Sequence, residues 1–162
     1  MNTNTTVKNN LAEGFLDSLY YQIKLTEKCC KLLAKQFEEK LELEITLDEL
    51  TALSTINMYN GKIHQRDLAK ILIKDRANTG RMLNNLESKG YIKRIEKTKN
   101  KRQANMINIT EKGILRLEEL TKIIQPMFKD VNTKMTVDKR DYIKDGLKQL
   151  REILKETIEI HI

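Results

Sequence analysis

The sequence predicts a mainly α chain with one small β-hairpin, and three observations carry that expectation. Proline occurs once and glycine six times in 162 residues, so little interrupts long helices. Apolar residues recur at helical spacing through most of the chain. Only between Tyr91 and Ile109 does the period change to two, around a polar run from Lys97 to Asn105.

The first helix is expected from Leu11 to about Leu43, because Leu11, Phe15, Leu19 and Ile23, then Cys30, Leu33, Phe37 and Leu41, keep one apolar stripe. Thr46 followed by Glu49 has the form of a capping box and starts a second helix from Leu47 to about Tyr59. Asn60-Gly61 ends it, with Gly61 suited to positive φ. A short third helix from His64 to about Ile73 turns Leu68, Ala69 and Leu72 inward, and Lys74-Asp75 leads into a fourth from about Ala77 to Lys89. Met82, Leu83 and Leu86 form its inward face, and Gly90 closes it. Two short helices joined by three or four residues have the form of a helix-turn-helix.

Tyr91 to Ile95 and Met106 to Ile109 make the strands of the hairpin. Thr110 caps a fifth helix, Glu111 to about Lys129, which Pro126 is expected to kink or shorten. A sixth runs from about Val137 to Glu159. These elements read as one unit over 1–162. Residues 46–115 form a compact lobe, and 11–43 with 116–160 a helical region. The long helices carry more apolar surface than a single chain of this layout needs, so a second subunit is expected to cover it.

Composition narrows the class further. The chain is long enough to bury a core without metal or disulfides. It contains no apolar run that could span a bilayer, and its polar start, Met1 to Asn10, lacks a secretory signal. A soluble cytoplasmic protein without membrane association follows. Cys29 and Cys30 are helix neighbours whose side chains point about 100° apart, so they are not expected to bridge each other. They read as small buried or half-buried residues; a thiol sensor would need solvent access and a lowered pKa. His64 reads as a weak helix cap or surface residue, and His161 lies near the end. No phosphate-cradling glycine loop, His–Cys nucleophile set or metal cluster occurs, so neither an enzyme nor a cofactor is expected.

The net charge of +7 is unevenly placed. Residues 61–102 hold thirteen Lys or Arg against four Asp or Glu, a balance of +9, and the rest of the chain carries −2. Lys97, Lys99, Lys101 and Arg102 crowd one hairpin tip, a repulsion that a nearby anion would relieve. Such segregation is the footprint of a chain that follows a phosphate backbone. A basic helical module that binds RNA or an acidic protein remains the alternative.

Three segments then resemble a known family. HQRDLAKIL (64–72) is similar to the support helix of MarR (multiple-antibiotic-resistance regulator) proteins. NTGRMLNNLESKGYIKR (78–94) resembles their recognition helix and first wing strand, and NITEKG (108–113) the entry to the fifth helix. The resemblance implies a six-helix winged helix-turn-helix in a triangular homodimer. It also implies a transcriptional regulator that binds a pseudo-palindromic double-stranded DNA operator, as a repressor released by a small-molecule or oxidant signal. By position, Asn78, Thr79 and Arg81 would face the groove and Arg102 would be the wing arginine. Chemistry agrees: Arg81 suits guanine, Asn78 suits adenine, and Thr79 suits phosphate or a thymine methyl. Lys74 and Arg76, at the helix entrance, suit phosphates. The chain has Asn100 where the family usually has an acid, so Lys99, Lys101 and Gln103 join Arg102 as wing candidates. A small aromatic or amphipathic effector is implied in a cleft beside the helices. Tyr20, Tyr21, Cys29, Cys30 and Met58 are its neighbours by position, with core packing as the other role for each.

Overall fold

A computed structural model describes residues 14–99 and 102–157. In chain order the elements are α1 (Leu19–Lys40), α2 (Leu47–Met58), β1 (Lys62–His64), α3 (Gln65–Leu72), α4 (Arg76–Ser88), β2 (Ile92–Lys99), β3 (Arg102–Ile109), α5 (Glu111–Thr133) and α6 (Val137–Thr157). The chain divides into two compact units, Met1–Leu47 and Asp48–Ile162.

In the first unit the expected single helix is interrupted. Residues 14–16 form a helical turn, and the chain then restarts at Ser18, whose hydroxyl accepts a hydrogen bond from the Tyr21 amide at 3.2 Å. A serine side chain that caps locally competes with continuing helix, which is why α1 begins at Leu19. Leu11, the expected start, lies outside the described residues. Glu27 bridges Lys24 and Lys31 along α1. Their ammonium groups, that of Lys24 first, hold its carboxyl down to about 2. No residue of α1 is buried. Cys29 and Cys30 are exposed, a correction to their expected burial, while Ile23, Leu33 and Phe37 of the same helix are half-buried.

The second unit holds a dense core. Ala52, Leu53 and Ile56 of α2, Leu68 and Ala69 of α3, and Met82, Leu83 and Leu86 of α4 are buried, together with Tyr91, Ile92 and Ile107 of the wing base. Asn60 and Gly61 both take positive φ, and a Cβ on Gly61 would stand 2.9 Å from Ile109 Cγ2. Glycine is thus needed there twice over, for conformation and for space. The turn delivers β1, a strand absent from the sequence-based expectation. It pairs antiparallel with β3, Ile63 opposite Ile107, and gives a three-stranded sheet of order β1-β3-β2. His64 accordingly ends β1 and occupies the α3 N-cap without a side-chain cap bond, so α3 starts one residue later than expected.

The exit of the wing is tied down by Thr110. Its hydroxyl donates to Gly90 O at 2.7 Å and accepts from the Gly113 amide at 3.0 Å, capping α5. A Cβ on Gly113 would meet Tyr91 O at 2.1 Å, so only glycine permits α5 to lie this close to the wing base. Lys112 donates to Lys89 O at 2.7 Å and lies over the Tyr91 ring at 5.0 Å. Helix α5 continues past Pro126 to Thr133, beyond its expected end, and buries Leu117, Leu120 and Ile124. No residue of α6 is buried. Among the described residues no helix is long and apolar enough to cross a membrane.

Candidate nucleic-acid interface

The connection between α3 and α4 is a tight left-handed turn at Ile73, with φ 52° and ψ 47°. A β-branched residue is disfavoured there, so the packing of the two helices is what holds it. The turn places Asp75 at the N-cap of α4, with a carboxylate oxygen accepting from the Asn78 amide at 2.7 Å. That bond, then the bond from the Asn78 side chain, holds the Asp75 carboxyl below its ordinary range.

Helix α4 has two faces. Thr79, Met82, Leu83 and Leu86 are buried on one. On the other, Arg76, Asn78, Arg81 and Asn84 are exposed. Arg81 Nη2 donates to Asn78 Oδ1 at 2.6 Å. Gly80, with nothing within 4 Å of a Cβ built on it, leaves the space beside Arg81 open.

Two expected contact residues have partners within the chain. Thr79 is fully buried and its hydroxyl donates to Asp75 O at 2.8 Å, so it secures the first turn of the helix and does not face outward. Its place on the same stripe as Met82 and Leu86, three and seven residues on, is the physical reason. Lys74 is half-buried and its ammonium pairs with Asp48 at 2.7 Å, so its charge is already directed at a neighbouring helix. Arg76 and Arg81 remain the exposed cations of this face.

The wing is registered on the same helix by residues that the motif comparison passed over. The Arg94 amide donates to Glu87 Oε1 at 2.9 Å and its Nε to Oε2 at 2.8 Å, while Nη2 reaches Asn84 Oδ1 at 2.7 Å. This fork fixes β2 against α4, and the Arg94 guanidinium holds the Glu87 carboxyl low despite some burial. Asn85 Nδ2 donates to the buried Glu49 carboxylate at 2.5 Å, fastening α4 to α2. The spacing after Thr46 suggests Glu49 as half of a capping box; its bond to Asn85 has no local sequence signal. Asp75, by contrast, is readable as an N-cap from its place before the helical run.

In the hairpin, β2 and β3 pair over eight positions, from Ile92 opposite Ile109 to Lys99 opposite Arg102. Lys99 and Arg102 thus occupy the last rung before the tip. Gln103 lies one rung in, opposite Thr98. Lys101, the other wing candidate, lies outside the described residues, as does Asn100.

The five effector-cleft candidates are surface residues within the chain. Tyr20 and Met58 are strongly exposed, Cys29 and Cys30 are exposed, and Tyr21 is half-buried. A cavity of about 490 Å³ lies elsewhere, between β1, α3 and β3, and is lined in part by Tyr59, Lys62, Ile71 and Met106. No group of three or more His, Cys, Asp or Glu that could hold a metal occurs among the described residues.

Residues 45–104, which span α2 to the wing, match the MarR family model. Solved structures agree on the architecture. The chain superposes on Staphylococcus aureus MepR in a DNA complex with a TM-score of 0.69 at 24% identity, over 85% of this chain and 98% of that one. A mutant MarR from E. coli complexed with operator DNA gives 0.68 at 24% identity, over 83% and 99%. The organohalide-sensing RdhR regulator bound to 2,4-dichlorophenol gives 0.72 at 16% identity, over 83% and 80%. At these identities the likeness establishes the winged helix-turn-helix fold. No curated protein matches the sequence.

Proposed function

We propose that the chain, whose residues 45–104 match the MarR family model, is a transcriptional regulator that binds double-stranded DNA sequence-specifically as a homodimer. The observation that carries this reading is the outer face of α4. Arg76, Asn78 and Arg81 project from one side of a helix whose other side is packed shut, and the cationic hairpin is anchored to that same helix through Arg94 and Glu87. A helix so presented fits a major groove, where a guanidinium donates two parallel bonds to guanine. Arg76 and the wing cations Lys99, Lys101 and Arg102 suit phosphates on either side. The operator is a pseudo-palindrome, because a twofold dimer presents two identical helices.

The homodimer is supported by the uncovered apolar side chains of α6. Tyr142 is 83% exposed, and Leu147 and Leu154 are 44% and 46% exposed, along a helix that buries nothing in its own chain. The chain acts as a repressor that a small aromatic or amphipathic molecule, or an oxidant, releases from DNA. The structural neighbour bound to 2,4-dichlorophenol supports the first kind of signal, and the exposure of Cys29 and Cys30 meets the access condition for the second.

Selection of bound sequences from random duplex DNA tests the reading. Recovery of an inverted repeat, with half-sites about 10 base pairs apart, is the expected result. No enrichment, with equal affinity for RNA and heparin, would replace it by a basic interaction module. On the selected operator, Arg81→Ala is expected to cost about 1–3 kcal/mol and relax preference at one base pair, measured by titration. Lys99→Ala should weaken all duplexes alike and lower the salt slope by about 1.

A further inference from the structure

Asn78 is of the residue type that reads adenine, and it stands on the outer face of α4. Its amide, however, is engaged at both ends. The nitrogen donates to the Asp75 carboxylate, and the oxygen accepts from Arg81 Nη2 at 2.6 Å. Both bonds have an ionised partner, which makes them stronger than neutral ones. They run along the helix surface from the N-cap towards the second turn; the amide keeps one N–H and one lone pair, but turning it to present its donor and acceptor together to a base edge would give up these two charge-assisted bonds.

Arg81 is in a different position. The bond to Asn78 uses one of its five donors and leaves four, enough for two parallel bonds to a guanine edge. A long side chain that would otherwise sample many rotamers is held on one heading by the bond. The space beside it is open, since Gly80 carries no side chain and a Cβ there would meet nothing within 4 Å.

Resting on the DNA-binding reading above, we infer that Arg81 alone reads the base on this turn, and that Asn78 and Asp75 are positioning residues that aim it. The carboxylate of Asp75 adds a second effect. Its negative charge, at the end of the helix that meets the phosphates, opposes binding to every duplex equally. The pair therefore raises discrimination while lowering indiscriminate affinity.

The test measures affinity for a panel of duplexes in which each base pair of the selected half-site is replaced in turn. Arg81→Ala should relax one G·C pair. Asn78→Ala should relax that same pair, by about three- to tenfold on the scale of one aimed hydrogen bond, and no other. Asp75→Asn keeps a good N-cap residue; it should relax the same pair and bind an unrelated duplex more tightly than the wild type. Combined with Arg81→Ala, Asn78→Ala should cost nothing further at that pair, an outcome that general destabilisation would not give. All three side chains are exposed, and thermal unfolding of each variant checks that the fold is kept. If Asn78→Ala relaxes a different, A·T pair, Asn78 is a direct reader and the inference is overturned while DNA recognition stands. Unchanged preference at every pair would overturn it as well. Wild-type protein that selects no duplex would overturn both readings.

Discussion

Helix α4 and helix α6 both carry an apolar stripe, yet α4 buries Thr79, Met82, Leu83 and Leu86 within its own chain while α6 buries nothing. The same contrast separates Leu83, with no exposed surface, from Leu147, 44% exposed. Helical period alone reports that a face is apolar and does not say what covers it. Around α4 the cover is internal, because α3 and the wing strand β2 both contact it. For α6, the proposed cover is a second copy of the chain.

Breaking the internal side of this contrast gives the largest effect. Leu83→Ala removes a fully buried side chain and is expected to cost about 2–5 kcal/mol in denaturant unfolding. Gly113→Ala comes next, because the new methyl meets the Tyr91 carbonyl and the wing base must shift; about 1–3 kcal/mol is expected. Loss of duplex binding should accompany it, since α4 and the wing share that base.

Glu87→Gln sharpens the comparison by loosening the wing from α4 without removing apolar packing. The pair is a third exposed on the carboxylate side, so screening reduces its worth to about 1 kcal/mol near neutral pH. Its pH dependence follows from the direction of the shift. With the folded carboxyl held below its unfolded value by Arg94, the stabilisation is complete above the unfolded pKa and lost as pH falls through the folded one. The wild type should therefore lose stability over that acid interval, and Glu87→Gln should show a shallower loss there.

The smallest effect belongs to the uncovered helix. Leu147→Ala should change the stability of the dilute monomer by less than about 0.5 kcal/mol, while Leu147→Asp should weaken self-association in sedimentation. If Leu147→Asp leaves association unchanged, α6 is not the covered face, and the contrast with α4 needs another explanation.

The fold was largely legible from local chemistry. Thr110 with its helix and Gly61 at positive φ stand where the sequence places them, whereas the two hairpin strands run on through most of the polar stretch expected at the tip, to Lys99 and from Arg102. What failed was also physical. Strand β1 is three residues long, too short to show a period, and exists because β3 offers it a ladder. Thr79 matched the motif by position, yet it shares the inward stripe of α4. Ser18 broke a stripe that periodicity treats as continuous.

The sequence by itself determined the order and type of the helices and the cationic hairpin, because each depends on neighbours within a few turns of chain. Only the tertiary structure decided that Lys74 is spent on Asp48, that Glu49 grips Asn85, and that Glu87 and Arg94 set the wing on its helix. Those partners lie between seven and thirty-six residues apart. Hydrogen bonds across such separations are set by how the elements pack, which no local spacing encodes.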